Sequence, residues 1–142
     1  MAWFPKQRVV VPIDFSDESF EALDVGLQLV ERGNQVSIIH VLQDLAPLEA
    51  GEVWGVVDPT ARIEGARRAL RERLTAEKFS LVQLEVVLGD PAHEIAEFAE
   101  KTKAEIIVIP SHGRRGITRL LMGSTAERVV RLAHCPVLVL RK

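Results

Sequence analysis

Apolar positions along this chain follow two periods that take turns. Val9-Val10-Val11 and Ile106-Ile107-Val108-Ile109 are unbroken apolar runs, the pattern of strands covered on both faces, and they predict strands over 8–13 and 104–110. Val82, Leu84, Val86 and Leu88 alternate with Gln83, Glu85 and Val87, which predicts a strand over 81–88 with one partly solvated face, at a sheet edge. Further strands are expected over 35–42 and 136–141. Helical periodicity fills the gaps and predicts helices over 17–32, 60–78, 91–102 and 123–134. Phe20, Leu23, Leu27 and Val30 line one face of the first, with Gly33-Asn34 as its stop signal. Asp90-Pro91 opens the third as cap and first helical residue. Strand and helix in strict alternation build a parallel sheet with helices on both faces, a doubly wound α/β domain spanning 1–142.

One stretch carries candidate chemistry. Ser111-His112-Gly113 follows the fourth strand, and nine residues later Gly123-Ser124-Thr125 opens the last helix, whose face is Ala126, Val129, Val130 and Ala133. Gly113 and Gly123 have access to backbone angles closed to other residues. Ser124 and Thr125 place hydroxyls and amide N–H groups at the positive end of the helix, an arrangement suited to an anion, phosphate above all. The plain alternative for Ser124 is a helix N-cap. Arg114, Arg115 and Arg119 add positive charge nearby, either solvated or facing phosphate.

The segment Pro110-Ser111-His112-Gly113, nine residues, Gly123-Ser124, with Ala133-His134-Cys135-Pro136-Val137-Leu138-Val139 beyond it, resembles the C-terminal signature of the universal stress protein family. Val9-Val10-Val11-Pro12-Ile13-Asp14-Phe15-Ser16 is similar to that family's first strand and acidic loop, so the resemblance spans the chain. It implies a Rossmann-like five-stranded sheet of order 3-2-1-4-5, with ligands at the topological switch between strands one and four. It also implies ATP, with or without magnesium, or another adenine nucleotide as ligand. Pro12, Ile13 and Asp14 would border the nucleotide, main-chain groups of Val41 would read the adenine edge, and Ile109, Ser111, His112, Gly113, Arg114, Gly123, Ser124 and Thr125 would hold ribose and phosphates. Asp14 has an equally plain role in satisfying the amides that open the first helix. The family pattern begins with glycine where this chain has Pro110, which lacks an N–H and a positive φ. Were that amide a ligand contact, affinity would fall roughly tenfold or more; were the glycine there for room, the cost would be small.

Composition narrows the function classes. A net charge of −2 and a pI near 6.1 give no reason to expect nucleic acid or an anionic membrane as partner. No run approaches transmembrane length and the start shows no secretory pattern, which predicts a cytoplasmic protein. Cys135 stands alone and reads as a small core residue; the four histidines are scattered, without zinc spacing. His112 is the one histidine in the candidate cleft, where a structural or ribose-side role stands ahead of general-base work. Asp44 to Pro59 is expected to form a loop or lid around Trp54. On the helix after it, pairs such as Glu64 with Arg68 predict a solvated face. No nucleophile elbow, Walker lysine or catalytic constellation appears. These absences put binding ahead of chemistry, and the resemblance implies a nucleotide-binding regulatory or stress-response protein, against two alternatives: a nucleotide-independent interaction dimer with a weakened pocket, and a slow ATP hydrolase. The apolar edge strand over 136–141 predicts a homodimer through that strand.

Overall fold

The computed structural model describes residues 2–43, 58–112 and 122–141. In chain order it runs β1 (Val9–Pro12), α1 (Asp17–Gln28), β2 (Val36–Leu42), α2 (Pro59–Arg73), β3 (Gln83–Leu88), α3 (Pro91–Lys101), β4 (Ile106–Pro110), α4 (Ser124–Leu132) and β5 (Val137–Leu140). All pairings are parallel and the strand order is β3-β2-β1-β4-β5, as expected. The fully apolar strands β1 and β4 lie in the interior of the sheet, and the alternating β3 lies at one edge.

The period-two rule divides the core. Val9, Val11, Ile13, Ile106 and Val108 pack with Ala22 and Leu23 of α1 and Leu70 of α2. Their alternating neighbours Val10, Ile107 and Ile109 pack with Ala92, Ile95 and Ala99 of α3 and with Ala126 and Val129 of α4. Each valine, leucine or isoleucine among them stabilises the fold by about 1.5–3 kcal/mol through burial. Gly26 lets α1 sit close on β1: a β-carbon there would stand 2.9 Å from Val11 Cγ2.

Three local expectations are corrected. The first helix ends at Gln28 rather than near 32, because the Leu29 carbonyl accepts the Lys6 N–H (2.7 Å) and Val30 bridges to Lys6; Gly33–Gln35 instead forms a short 3-10 turn into β2. The second helix ends at Arg73 rather than near 78. Leu74 and Phe79 both pack against the α1/α2 core, and the chain turns inward through a 3-10 segment, Glu77–Phe79, to place them. On α2 the ion pair formed is Glu64 with Arg67 (3.9 Å), and Arg67 also reaches Glu85 (4.0 Å), where Glu64 with Arg68 was expected.

Candidate functional site

From β1 the chain builds outward to β2 and β3 on one side, and from β4 to β5 on the other, so the strand order reverses between β1 and β4. In open parallel sheets ligands bind beyond the carboxyl ends of the strands at such a switch. Here the β1–β4 register covers only Val9 with Ile106 and Val10 with Ile107, and the strands part beyond it. Asp14 leaves β1 at this opening, Val41 lies near the end of β2, and Ser111 and His112 leave β4.

The loop after β1 is built from interlocking bonds. The Ile13 N–H donates to the Ile39 carbonyl (2.8 Å), and the Ile13 carbonyl accepts from His40 Nδ1 (2.6 Å). Asp14 Oδ1 accepts from the Ser16 N–H (3.0 Å) and from the Ser16 hydroxyl. Ser16 is the N-cap of α1, its Oγ accepting from the Ser19 N–H (3.1 Å), so Asp14's share in the cap is indirect: it fixes the capping serine. Phe15 lies between them at φ 67°, a left-handed conformation that costs a bulky residue about 1–3 kcal/mol. Its ring meets Phe20 edge-on, which staples the residue before the cap to the fourth residue of the helix, and it meets His40 edge-on at 4.8 Å.

On the other side, the residue that follows β4 meets the start of α4. The buried Ser111 donates its N–H to the Leu140 carbonyl (2.8 Å), places its Oγ 3.1 Å from His112 Nδ1, and accepts the Gly123 N–H on its carbonyl (2.6 Å). Two expectations change as a result. Gly123 lies at φ −61°, ψ 152°, ordinary extended backbone, and its amide is spent on closing the loop rather than offered to a ligand. Gly123 is also the N-cap, which makes Ser124 the first helical residue instead of the cap. No side chain caps α4, and its first intrahelical bond is Glu127 N–H to Gly123 C=O (3.0 Å). The N–H groups of Ser124, Thr125 and Ala126 therefore have no acceptor among the described residues, at the positive end of the helix. Gly113, Arg114, Arg115, Arg119 and Trp54 lie outside the described residues.

Pro110 is buried and in register with Leu140. The amides of Ile107 and Ser111 both point to β5, at the Pro136 and Leu140 carbonyls, so by alternation the nitrogen of residue 110 faces the β1 side, where β1 and β4 have already parted. The missing donor thus costs the β4–β5 ladder nothing and falls on the wall of the crevice.

The starts of α3 and α4 are tied by an ion pair that the sequence reading did not single out. Arg128 of α4 binds both oxygens of Asp90 at 2.8 Å, while Asp90 Oδ2 also accepts the His93 N–H (3.1 Å) as the N-cap of α3. The Arg128 hydrogen bonds hold the Asp90 carboxyl below its ordinary range, and the pairing raises Arg128 in turn. His40 was missed as well. Its one signal is a polar ring in the apolar series Ile38, His40, Leu42 on the α1/α2 side of β2. Cys135 is half-buried and burial pushes its thiol up, in keeping with a packing role.

Among the described residues no three His, Cys, Asp or Glu side chains converge as for a metal, and no helix is long and apolar enough to cross a membrane. A separate open cleft lies at the amino ends of β1 and β2, lined by Gln7, Arg8, Asn34, Gln35, Ser37 and Thr102. Its polar groups bond to one another, Arg8 to the Thr102 carbonyl (3.1 Å) and Gln35 to Gln7 (2.8 Å). It stands at the wrong end of the sheet for the switch-point rule, so the β1/β4 opening is the stronger site.

The sequence profile of the universal stress protein family matches residues 6–141. Universal stress protein MJ0531 of Methanocaldococcus jannaschii is 38% identical over 141 residues, covering 96% of this chain and 82% of that protein. Among solved structures, a universal stress protein in complex with cAMP superposes with a TM-score of 0.65 at 25% identity, covering 96% of this chain and 98% of that one. The fold is shared too by the universal stress protein from Archaeoglobus fulgidus in complex with dAMP, with a TM-score of 0.63 at 21% identity and coverage of 96% and 97%.

Proposed function

The chain belongs to the universal stress protein family, and from that premise we propose that it binds an adenine nucleotide, ATP included, at the β1/β4 opening and serves as a ligand-responsive regulatory module of the cytoplasm. The observation that carries this is the uncapped start of α4, where three amides without acceptors among the described residues stand beside Ser111 at the switch point. The relative solved with cAMP supports the ligand class. In this reading the phosphates face Ser124 and Thr125, Asp14 and the Val41 main chain border the nucleoside, and any magnesium comes with the phosphates.

Calorimetry with ATP, ADP, AMP and cAMP, on protein stripped of copurified ligand, tests it. Gly123→Val is the test variant: at φ −61° and ψ 152° valine meets no backbone strain, and its branched side chain adds bulk at the start of α4. Crowding that costs the phosphates one charge-assisted bond to the amides of residues 124–126 predicts roughly tenfold weaker ATP binding or more. A folded Gly123→Val protein that binds as tightly as the parent would place the ligand elsewhere. A slow hydrolase would release ADP and phosphate in the same samples, and an interaction dimer with a dead pocket would bind none of the four.

We also infer a homodimer through β5. This strand is a sheet edge whose four residues are all only half-buried. Because the Ile107 and Ser111 amides bond to the carbonyls of Pro136 and Leu140, the main-chain groups of the even residues of β5 face β4, and those of Val137 and Val139 face the open edge. A second copy laid antiparallel along that edge would satisfy them and cover the apolar side chains.

A further inference from the structure

We propose that His40 is a positioning residue for the nucleotide site, fixing through its Nδ1–H the peptide that presents Asp14. The proposal deepens the nucleotide reading and rests on it for its binding readout. His40 occupies a place on β2 between Ile38 and Leu42, on the face packed by α1 and α2, where an aliphatic side chain would satisfy the packing. Instead an imidazole is half-buried there with Nδ1 2.6 Å from the Ile13 carbonyl. A carbonyl only accepts, so Nδ1 carries the proton and donates.

The consequence lies in what that carbonyl belongs to. Ile13 C=O and Asp14 N–H form one rigid peptide, so the bond sets the plane from which Asp14 departs. Two residues on, Ser16 holds the Asp14 carboxylate from the other side. Between these two anchors Phe15 is kept in a left-handed conformation, its ring packed edge-on against the same imidazole. Conformations of that cost persist where the surroundings over-determine them, and here His40 supplies both a hydrogen bond and a packing surface. His40 also precedes Val41 in the strand, so one residue links the two segments assigned to the nucleoside end of the site, the Asp14 loop and the Val41 main chain.

Three substitutions separate the hydrogen bond from the packing. Asparagine carries an amide nitrogen two bonds from Cβ, as Nδ1 is, and can replace the donor. Glutamine places its nitrogen three bonds out, and leucine has none. His40→Leu and His40→Gln are expected to weaken ATP binding roughly tenfold, the cost of leaving the Ile13 carbonyl without its donor, while His40→Asn stays close to the parent. In nitrogen-15 spectra of the unmodified protein the His40 ring should show a protonated Nδ1, and the amide signals of Asp14, Phe15 and Ser16 should move in the Leu and Gln variants but hold in Asn. A deprotonated Nδ1 in the parent overturns the proposal, as does an Asn variant as weak as Leu, which would assign the effect to ring packing. If the parent binds none of the nucleotides, the functional reading fails. The loop signals then decide His40 alone, and a loop unmoved in His40→Leu sinks it.

Discussion

Replacing Pro110 by glycine puts a donor back on the wall of the crevice, and its effects on binding and on stability can be worked separately. Pro110 is buried and ends β4, with its nitrogen facing the β1 side beyond the last β1–β4 register pair. A recovered bond from a backbone N–H to a charged phosphate contributes about 1.5–3 kcal/mol, so the variant should bind ATP roughly tenfold more tightly at the lower end of that range. Stability moves the other way. Losing three buried ring methylenes costs about 2 kcal/mol, and freeing the unfolded chain at this position costs about 1 kcal/mol more. Against a typical total of about 5–15 kcal/mol the variant stays folded, with a Tm lowered by roughly 10 °C.

The acceptor decides the outcome. Were the β1–β4 ladder to continue in register, the amide of residue 110 would meet the Pro12 carbonyl rather than a ligand. Calorimetry of parent and Pro110→Gly protein with ATP, paired with hydrogen exchange of the new amide in the ligand-free state, distinguishes the two. Tighter binding with an unprotected amide in the free protein is the expected result. Unchanged affinity with an amide already protected before ligand is added would refute the reasoning, because the new donor would then belong to the sheet.

Asp90→Asn keeps a competent cap on α3 but removes the charge paired with Arg128. Because pairing holds the folded carboxyl below its ordinary 3.8, the stabilisation is present above that value and is lost as pH falls through the folded pKa. Thermal melts should show the parent ahead of Asp90→Asn near neutral pH, the gap closing in acid and narrowing with added salt, as suits an exposed pair; a gap independent of pH would remove the ion pair as its cause. Gly26→Ala gains about 1 kcal/mol of helix propensity but drives a β-carbon to 2.9 Å from the fully buried Val11, an overpacking cost of about 1–3 kcal/mol, so a urea midpoint lower than the parent's is expected. Val139→Pro removes an edge-facing N–H and should leave a folded monomer in sedimentation at micromolar concentration, whereas Leu138→Pro strikes the β4 ladder and destabilises the subunit itself. A parent that sediments as a monomer, or a Val139→Pro dimer equal to it, would count against assembly through β5.

The architecture was legible because burial and periodicity are the same fact seen twice. β1 and β4 are apolar at consecutive positions because helices cover both faces, and β3 alternates because it lies at the edge. The Asp90-Pro91 opening of α3 was legible for a local reason too, since cap and proline act within a few residues of themselves. Helix ends were less so. Nothing in the pattern of α1 announces that Leu29 will bond to Lys6, because the partner lies in a segment before β1.

The site divides along the same line. Glycine at 123 was read for its conformational freedom, but the structure uses it as an N-cap whose amide ties α4 to the Ser111 carbonyl, a contact between residues twelve apart across the loop. That bond does more for the site than a free amide would. It anchors the helix start, with the next three N–H groups, to the end of β4. His40 escaped the reading because an isolated histidine in a strand has no local signature, and its bond to Ile13 joins residues 27 apart in sequence. Composition and spacing tell which groups are chemically able to meet a nucleotide. Which amides remain for it is decided by the protein's own carbonyls, and those competing partners are set by the fold.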